Sequence, residues 1–179
     1  MEEVNIKGMN FSIFISAAQI EKALIRIATH LNEQFAGKNP VFVSVLNGSF
    51  MFTADLLKKV TIPCEVSFVK LASYQGTQST GIVKQLVGLT EDIKNRSVII
   101  LEDIVDTGFT MQDLLQQLGD KNPKEITVIT LLQKPDALQV PLQVHHVGFE
   151  IPNAFVVGYG LDLDGFGRNL PHIYQLKSE

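Results

Sequence analysis

The chain has 179 residues, 45% of them hydrophobic and 19% charged, and its 15 basic and 19 acidic side chains leave a formal net charge of −4. That length suits one domain burying roughly 70% of its unfolded surface, and that composition excludes a disordered chain. The negative balance speaks against a dedicated nucleic-acid binder, and the single cysteine, Cys64, excludes an intramolecular disulfide.

In chain order, Met1 to Asn10 hold two acids and one lysine and no apolar stretch, so no secretory leader is expected. No run approaches the ~18 apolar residues of a membrane span. The expectation is a cytoplasmic protein with no membrane or nucleic-acid partner. Apolar residues at Ile20, Leu24, Ile27, Ala28 and Leu31 predict a helix over 16–35 with Ser16 as its N-cap. Val41–Leu46 is a nearly continuous apolar run and predicts a buried strand. A helix over 49–58 follows. Residues 65–73 and 81–87 alternate apolar with polar and predict two strands. Their connector, 74–80, consists of Tyr, Gln, Gly, Thr, Gln, Ser and Thr, which cannot build a core. It is a candidate lid. Residues 97–101, 126–132 and 154–157 predict further buried strands, and 110–118 a helix stopped by Gly119. Strands alternating with helices predict an α/β fold with a mostly parallel sheet. Composition is even and no repeat is present, so 1–179 is read as one domain.

The most informative stretch runs Val98-Ile99-Ile100-Leu101-Glu102-Asp103-Ile104-Val105-Asp106-Thr107-Gly108-Phe109-Thr110. A buried strand ends in two adjacent carboxylates, and a glycine turn then opens a helix. In open α/β sheets, ligands bind beyond the carboxyl ends of the strands. A helix N-terminus offers free backbone N–H groups and a positive dipole end, and threonine hydroxyls add donors, so the turn suits a phosphate. Three acids beside a phosphate would repel it unless they hold something else. A sugar diol or hydrated Mg²⁺ fits carboxylates well. Alone, Asp-Thr-Gly would be an ordinary helix cap; the complete arrangement points to a site.

The segment Glu102 to Thr110 resembles the phosphoribosyl-pyrophosphate signature of type I phosphoribosyltransferases. Leu46-Asn47-Gly48-Ser49-Phe50, Ser73-Tyr74, Ser79-Thr80-Gly81, Leu132-Gln133-Lys134, Val147 to Pro152 and Phe155 to Tyr159 are similar to the hypoxanthine–guanine branch, in that family's order. The resemblance implies a core of about 38–160, a hood from 1–15 and 160–179, and a mobile hairpin lid at 73–85. It implies a purine-salvage enzyme that moves the 5-phosphoribosyl group of phosphoribosyl pyrophosphate to N9 of hypoxanthine or guanine. The products are the nucleotide and pyrophosphate, and Mg²⁺ is the cofactor. Position by position, Glu102 and Asp103 are implied to hold the ribose hydroxyls, partly through metal. Asp106, Thr107, Gly108, Phe109 and Thr110 are implied to surround the 5′-phosphate, with Asp106 as general base or proton relay. Leu46, Asn47, Gly48, Ser73, Tyr74 and Arg168 would meet pyrophosphate, the Leu46–Asn47 peptide often being cis in the family. Lys134 would reach the purine O6, Phe155 would stack on the base, and Val156 would pair its edge. Asp162 would join the purine site and a second Mg²⁺. A homodimer or homotetramer is implied.

Two positions depart from many relatives, which carry Lys or Arg where this chain has Asn47 and Phe109. Each change removes a cation near a phosphate. A ligand-sensing regulator on the same fold is the competing reading, but such proteins usually add a basic surface or an extra module. A related enzyme using xanthine also stays open.

Overall fold

The computed structural model describes residues 3–72 and 84–177. The elements in order are β1 (Glu3–Ile6), β2 (Met9–Ile15), α1 (Ala17–Gln34), β3 (Val41–Leu46), α2 (Phe50–Leu57), β4 (Glu65–Ala72), β5 (Lys84–Val87), β6 (Ser97–Val105), α3 (Phe109–Gly119), β7 (Glu125–Gln133), β8 (His146–Glu150), β9 (Val156–Val157) and β10 (Ile173–Leu176). They form a six-stranded sheet ordered β5-β4-β3-β6-β7-β8 and a four-stranded sheet ordered β1-β2-β10-β9.

The larger sheet is parallel from β4 to β8, with β5 antiparallel at its edge. Its central strands are apolar on both sides because helices cover both faces. Phe42, Ile99, Leu101 and Ile129 face α1 and α2 in one core. Val43, Val98, Ile100 and Val128 face Met111, Leu114 and Leu118 of α3 in the other. From β3 the chain crosses through α2 to β4 on one side, then returns so that β6 lies on the other side of β3. The strand order therefore reverses between β3 and β6, and a crevice at their carboxyl ends follows from that reversal.

The smaller sheet is antiparallel and packs around Ile6, Phe11, Val157 and Tyr174. Two elements differ from the sequence expectation. The apolar run 154–157 contributes only Val156–Val157, and these pair with Gln175 and Tyr174 in the smaller sheet rather than joining the parallel one. Left-handed backbone at Gly158, Tyr159 and Gly160 turns the chain away at once. The fifth parallel strand is β8, whose HVGFE sequence is half-buried because it lies at the sheet edge, so it lacks a continuous apolar signature. β5 pairs with β4 as the other arm of the hairpin. Residues 73–83 of the expected lid lie outside the described residues. Among the described residues no helix is long and apolar enough to cross a membrane.

Helix α1 begins with a capping box: the Ser16 side chain accepts from the Gln19 N–H, and Gln19 Oε1 accepts from the Ser16 N–H at 2.9 Å. The cap sets the angle at which Ile20, Leu24, Ile27 and Leu31 descend into the core. Ser16→Ala should lower stability by about 1 kcal/mol in urea unfolding. An unchanged midpoint would show that the helix start is held by packing alone.

Candidate active site

The crevice is walled on one side by the turn leaving β3. Ser44, the one polar residue in that strand, is buried and its hydroxyl meets Ser49 Oγ and Thr53 Oγ1, each at 2.7 Å. Ser49 Oγ donates to Val45 O at 2.5 Å. These bonds lock the turn Leu46-Asn47-Gly48 to the start of α2. The Leu46–Asn47 peptide is cis. Gly48 has no room for a side chain: a Cβ there would lie 1.4 Å from Asp103 Oδ2. Gly160 has none either, since its Cβ would lie 1.9 Å from Gly48 O. The β3 turn is thus wedged between the Asp103 carboxylate and the backbone of the 158–168 turn.

The second wall leaves β6. Glu102 is buried and Asp103 half-buried. The Asp103 N–H faces Glu102 Oε1 at 3.3 Å, and the Ile104 N–H donates to Asp103 Oδ1 at 2.9 Å. Burial, and then the Asp103 charge, push the Glu102 carboxyl well above the usual range. Burial also raises Asp103, against its hydrogen bonds with Glu102 and Ile104 and the nearby Arg168 charge. The two acids are best described as a pair sharing protons, with Glu102 the more readily protonated.

Asp106 and Thr107 follow, then Gly108 at φ +89°, which immediately precedes α3. A Cβ on Gly108 would lie 2.9 Å from Val140 Cγ2, so glycine is required for space as well as for its backbone angle. The Gln139 N–H donates to Thr107 O at 3.0 Å and holds the 138–142 segment behind the turn. Glu102, Asp106, Thr107, Gly108, Thr110 and Met111 line a concave surface there. The first-turn N–H groups of α3 have no helical carbonyl before them and are available to an anion. Phe109 and Thr110 begin α3 and are exposed.

Lys134 follows β7, and its ammonium is nearly buried. It donates to Asp106 Oδ2 at 2.9 Å and to Asn153 Oδ1 at 3.4 Å. Its own N–H donates to Val105 O at 2.9 Å, tying the β7 end to the β6 end. Phe155 is exposed on one side, with its ring centroid 6.2 Å from that of Phe11 on β2. Val156 is buried within β9. Beyond β9, Arg168 donates to Gly160 O at 2.7 Å and pairs with Asp162 Oδ1 at 2.7 Å. Asp162 Oδ2 also accepts from the Gly165 N–H at 2.6 Å.

The structure therefore links Gly48, Glu102, Asp103 and the 160–168 turn in one chain of contacts, and Asp106, Lys134 and Asn153 in another. Glu102 to Thr110 joins the two. Ser73 and Tyr74 lie outside the described residues. Glu102, Asp103 and Asp162 do not converge as a metal cluster; among the described residues no such group of three ligands forms, and Asp162 engages Arg168 instead. Asn153, Phe11 and Gly160 were not read from the sequence as site residues. Asn153 and Phe11 carry no local signal, since each is placed by another element. Gly160 sits in Gly158-Tyr159-Gly160, a doubled glycine that could have marked a close backbone approach.

A phosphoribosyl transferase domain matches residues 15–164. The chain is 39% identical over 168 residues to a hypoxanthine-guanine phosphoribosyltransferase of Streptococcus pneumoniae, covering 93% of each. It is 40% identical over 164 residues to a hypoxanthine phosphoribosyltransferase of Salmonella typhimurium, covering 90% of this chain and 92% of that one. A solved hypoxanthine-guanine phosphoribosyltransferase from Bacillus anthracis superposes with a TM-score of 0.88 at 36% identity, covering 93% of this chain and 98% of that one.

The acid pair has a consequence for stability. A carboxyl raised on folding leaves stability intact below its ordinary value, 4.5 for Glu102, and loses it as pH rises through the raised value. Glu102→Gln removes that loss. In urea unfolding the variant should match wild type near pH 4 and become the more stable of the two as pH rises to 7. A gap that is constant with pH would show that Glu102 is not protonated in the folded protein.

Proposed function

This chain belongs to the phosphoribosyl transferase family, and we propose that it is a purine-salvage enzyme acting on phosphoribosyl pyrophosphate and a 6-oxopurine. It transfers the 5-phosphoribosyl group to N9 of hypoxanthine, and of guanine, and releases pyrophosphate. The observation that carries the reading is the single segment Glu102 to Thr110, which sets an acid pair, an ion-paired aspartate and a helix N-terminus around one crevice.

The turn Thr107-Gly108-Phe109-Thr110 holds the 5′-phosphate with backbone N–H groups and threonine hydroxyls. Glu102 and Asp103 accept from the ribose hydroxyls. Gly48, with Leu46 and Asn47 beside it, meets pyrophosphate through backbone N–H groups, and Arg168 offers a planar fork to its oxygens. Phe155 stacks on the base, and the Val156 backbone pairs its edge. Lys134 already directs donors to Asp106 and Asn153. An ammonium has three donors and no acceptor, so its remaining N–H suits an oxygen at purine position 6 and rejects an amino group. As pyrophosphate leaves, positive charge grows on the sugar carbon, and the fixed carboxylates stabilise it. Asp106 takes the proton that the purine loses. The donor set also fits magnesium: burial raises both adjacent carboxyls, and the Asp103 charge raises Glu102 further, a strain that a divalent cation would relieve, and Mg²⁺ binds through one or two carboxylates plus substrate phosphates. Magnesium bound there neutralises charge on the departing pyrophosphate. Glu102 and Asp103 would hold it, with Asp162 serving a second ion once freed from Arg168. A cytoplasmic homodimer or homotetramer completes the proposal.

The test is pyrophosphate release with hypoxanthine, guanine, xanthine and adenine in turn. Release with the 6-oxopurines and not adenine is expected, and no release with any purine would move the assignment to a ligand-sensing regulator. Asp106→Asn should cut kcat by about 10²–10³ while leaving donor binding in place; an unchanged kcat removes the proton role. Lys134→Met should narrow the preference for hypoxanthine over adenine, measured as the ratio of kcat/KM. An unaltered ratio places the position-6 contact elsewhere.

A further inference from the structure

We propose that the hydrogen bond between Tyr159 and Asp55 braces the pyrophosphate side of the crevice, making both side chains positioning residues for phosphoribosyl transfer. The proposal rests on the functional reading above and names two residues to which that reading gives no task.

Tyr159 is buried, and its hydroxyl donates to Asp55 Oδ2 at 2.8 Å. Asp55 lies on α2, the helix that opens directly after the Gly48 turn. Lys58, one turn along the same helix, donates to Asp55 Oδ1 at 2.7 Å. The carboxylate is thus fixed on its own helix by one oxygen and reaches across to the 158–168 turn with the other. Burial works to raise Asp55, but the hydrogen bonds from Lys58 and Tyr159 outweigh it and hold the carboxyl below its ordinary value, so it stays an acceptor.

The backbone explains why that turn needs an anchor. Gly158, Tyr159 and Gly160 lie at φ +95°, +49° and +102°. A residue with a Cβ is uncommon in that region, and two glycines flanking it leave the turn little intrinsic stiffness. Tyr159 is tied at two points, its N–H to Leu170 O at 2.8 Å and its hydroxyl to Asp55. The next residue, Gly160, packs directly against Gly48 O and accepts from Arg168 at 2.7 Å. Backbone bonds also hold this turn, from the Gly158 N–H to Leu161 O at 3.0 Å and from the Gly160 N–H to Arg168 O at 2.9 Å, so loss of the Tyr159 hydroxyl bond removes the side-chain tie to α2 and leaves the turn, with Arg168, less firmly placed against Gly48. Among the described residues, Asp106, Lys134 and Asn153 on the base side make no hydrogen bond to this brace, and Phe155 and Val156, which precede Tyr159 in the chain, are held separately by the pairing of β9 with β10.

Tyr159→Phe removes one oxygen and keeps the buried ring. It should raise KM for phosphoribosyl pyrophosphate about three- to tenfold, the worth of one hydrogen bond, while KM for hypoxanthine holds. Asp55→Ala should match it, and the double variant should be no worse than either single one. Asp55→Asn keeps an oxygen acceptor for Tyr159 and loses only an exposed ion pair with Lys58, so it should restore wild-type values. Calorimetry with inorganic pyrophosphate and magnesium gives an independent readout: affinity should fall by the same factor in Tyr159→Phe. A lowered melting temperature with donor KM and pyrophosphate affinity both unchanged would make the contact merely structural and overturn the proposal. So would an equal rise in both KM values. A wild type that binds pyrophosphate but turns over no purine sinks the enzymatic reading alone, and the pyrophosphate affinities then decide the brace.

Discussion

An oxygen of Asp103 lies where a side chain on residue 48 would begin, and the backbone of Gly160 lies against the carbonyl of Gly48. Three segments that are distant in sequence meet at that point with no space for a methyl group. The turns after β3 and β9 are therefore registered by backbone contact, which is less tolerant than side-chain contact because nothing can rotate away, and the end of β6 is set against them through the Asp103 carboxylate. The crevice has its shape because strand order reverses between β3 and β6, and it has its width because two glycines let the walls close.

Charge at the crevice is arranged unevenly. Asp106 is matched by Lys134, and Asp162 by Arg168. Glu102 and Asp103 have no cation in contact among the described ion pairs, and burial raises both. An isolated acid pair in this position costs stability, and the cost makes sense only if a ligand repays it. A sugar diol that donates two hydrogen bonds, or a divalent cation, does so; a bare phosphate would not. The paired aspartates sit at either end of the cleft, where each cation can exchange its carboxylate for a ligand oxygen without first being desolvated. The charged groups of the site are thus already held in place before substrate enters, a condition for electrostatic stabilisation of a developing cation.

Much of this was legible in the sequence because local pattern and global fold agree over the core. Val41–Leu46 and the apolar start of β6 read as buried strands, and the acid pair, aspartate and glycine turn lie within one uninterrupted segment. What stayed hidden depends on which elements meet. Val156–Val157 has the composition of a core strand, yet it pairs with β10, because the hydrogen-bond partner of so short a run is chosen by the turn that follows it. β8 is masked by its edge position and its histidine. Asn153 and Phe11 acquire their places beside Lys134 and Phe155 only through tertiary contact. Asp162 and Arg168 were read as facing separate ligands, whereas without ligand they satisfy each other.

Asn47 and Phe109 stand where many relatives carry a cation, and the geometry indicates why the site tolerates both. Phe109 is the first residue of α3, exposed, with no acid in that first turn to weaken the positive end of the helix dipole. The donors that face an anion there are backbone N–H groups held by the Gly108 turn and by the Thr107 carbonyl's bond from Gln139. Such donors need no side-chain ordering on binding, whereas a lysine would surrender much of its rotamer freedom to make one contact. At residue 47 the neighbouring Gly48 amide is fixed by the Asp103 and Gly160 contacts in the same way. Substituting cations by pre-positioned backbone dipoles exchanges long-range attraction for short-range fit. Recognition at this crevice consequently leans on the two turns holding their separation, and Arg168, a cation on the pyrophosphate side, is itself held by Gly160.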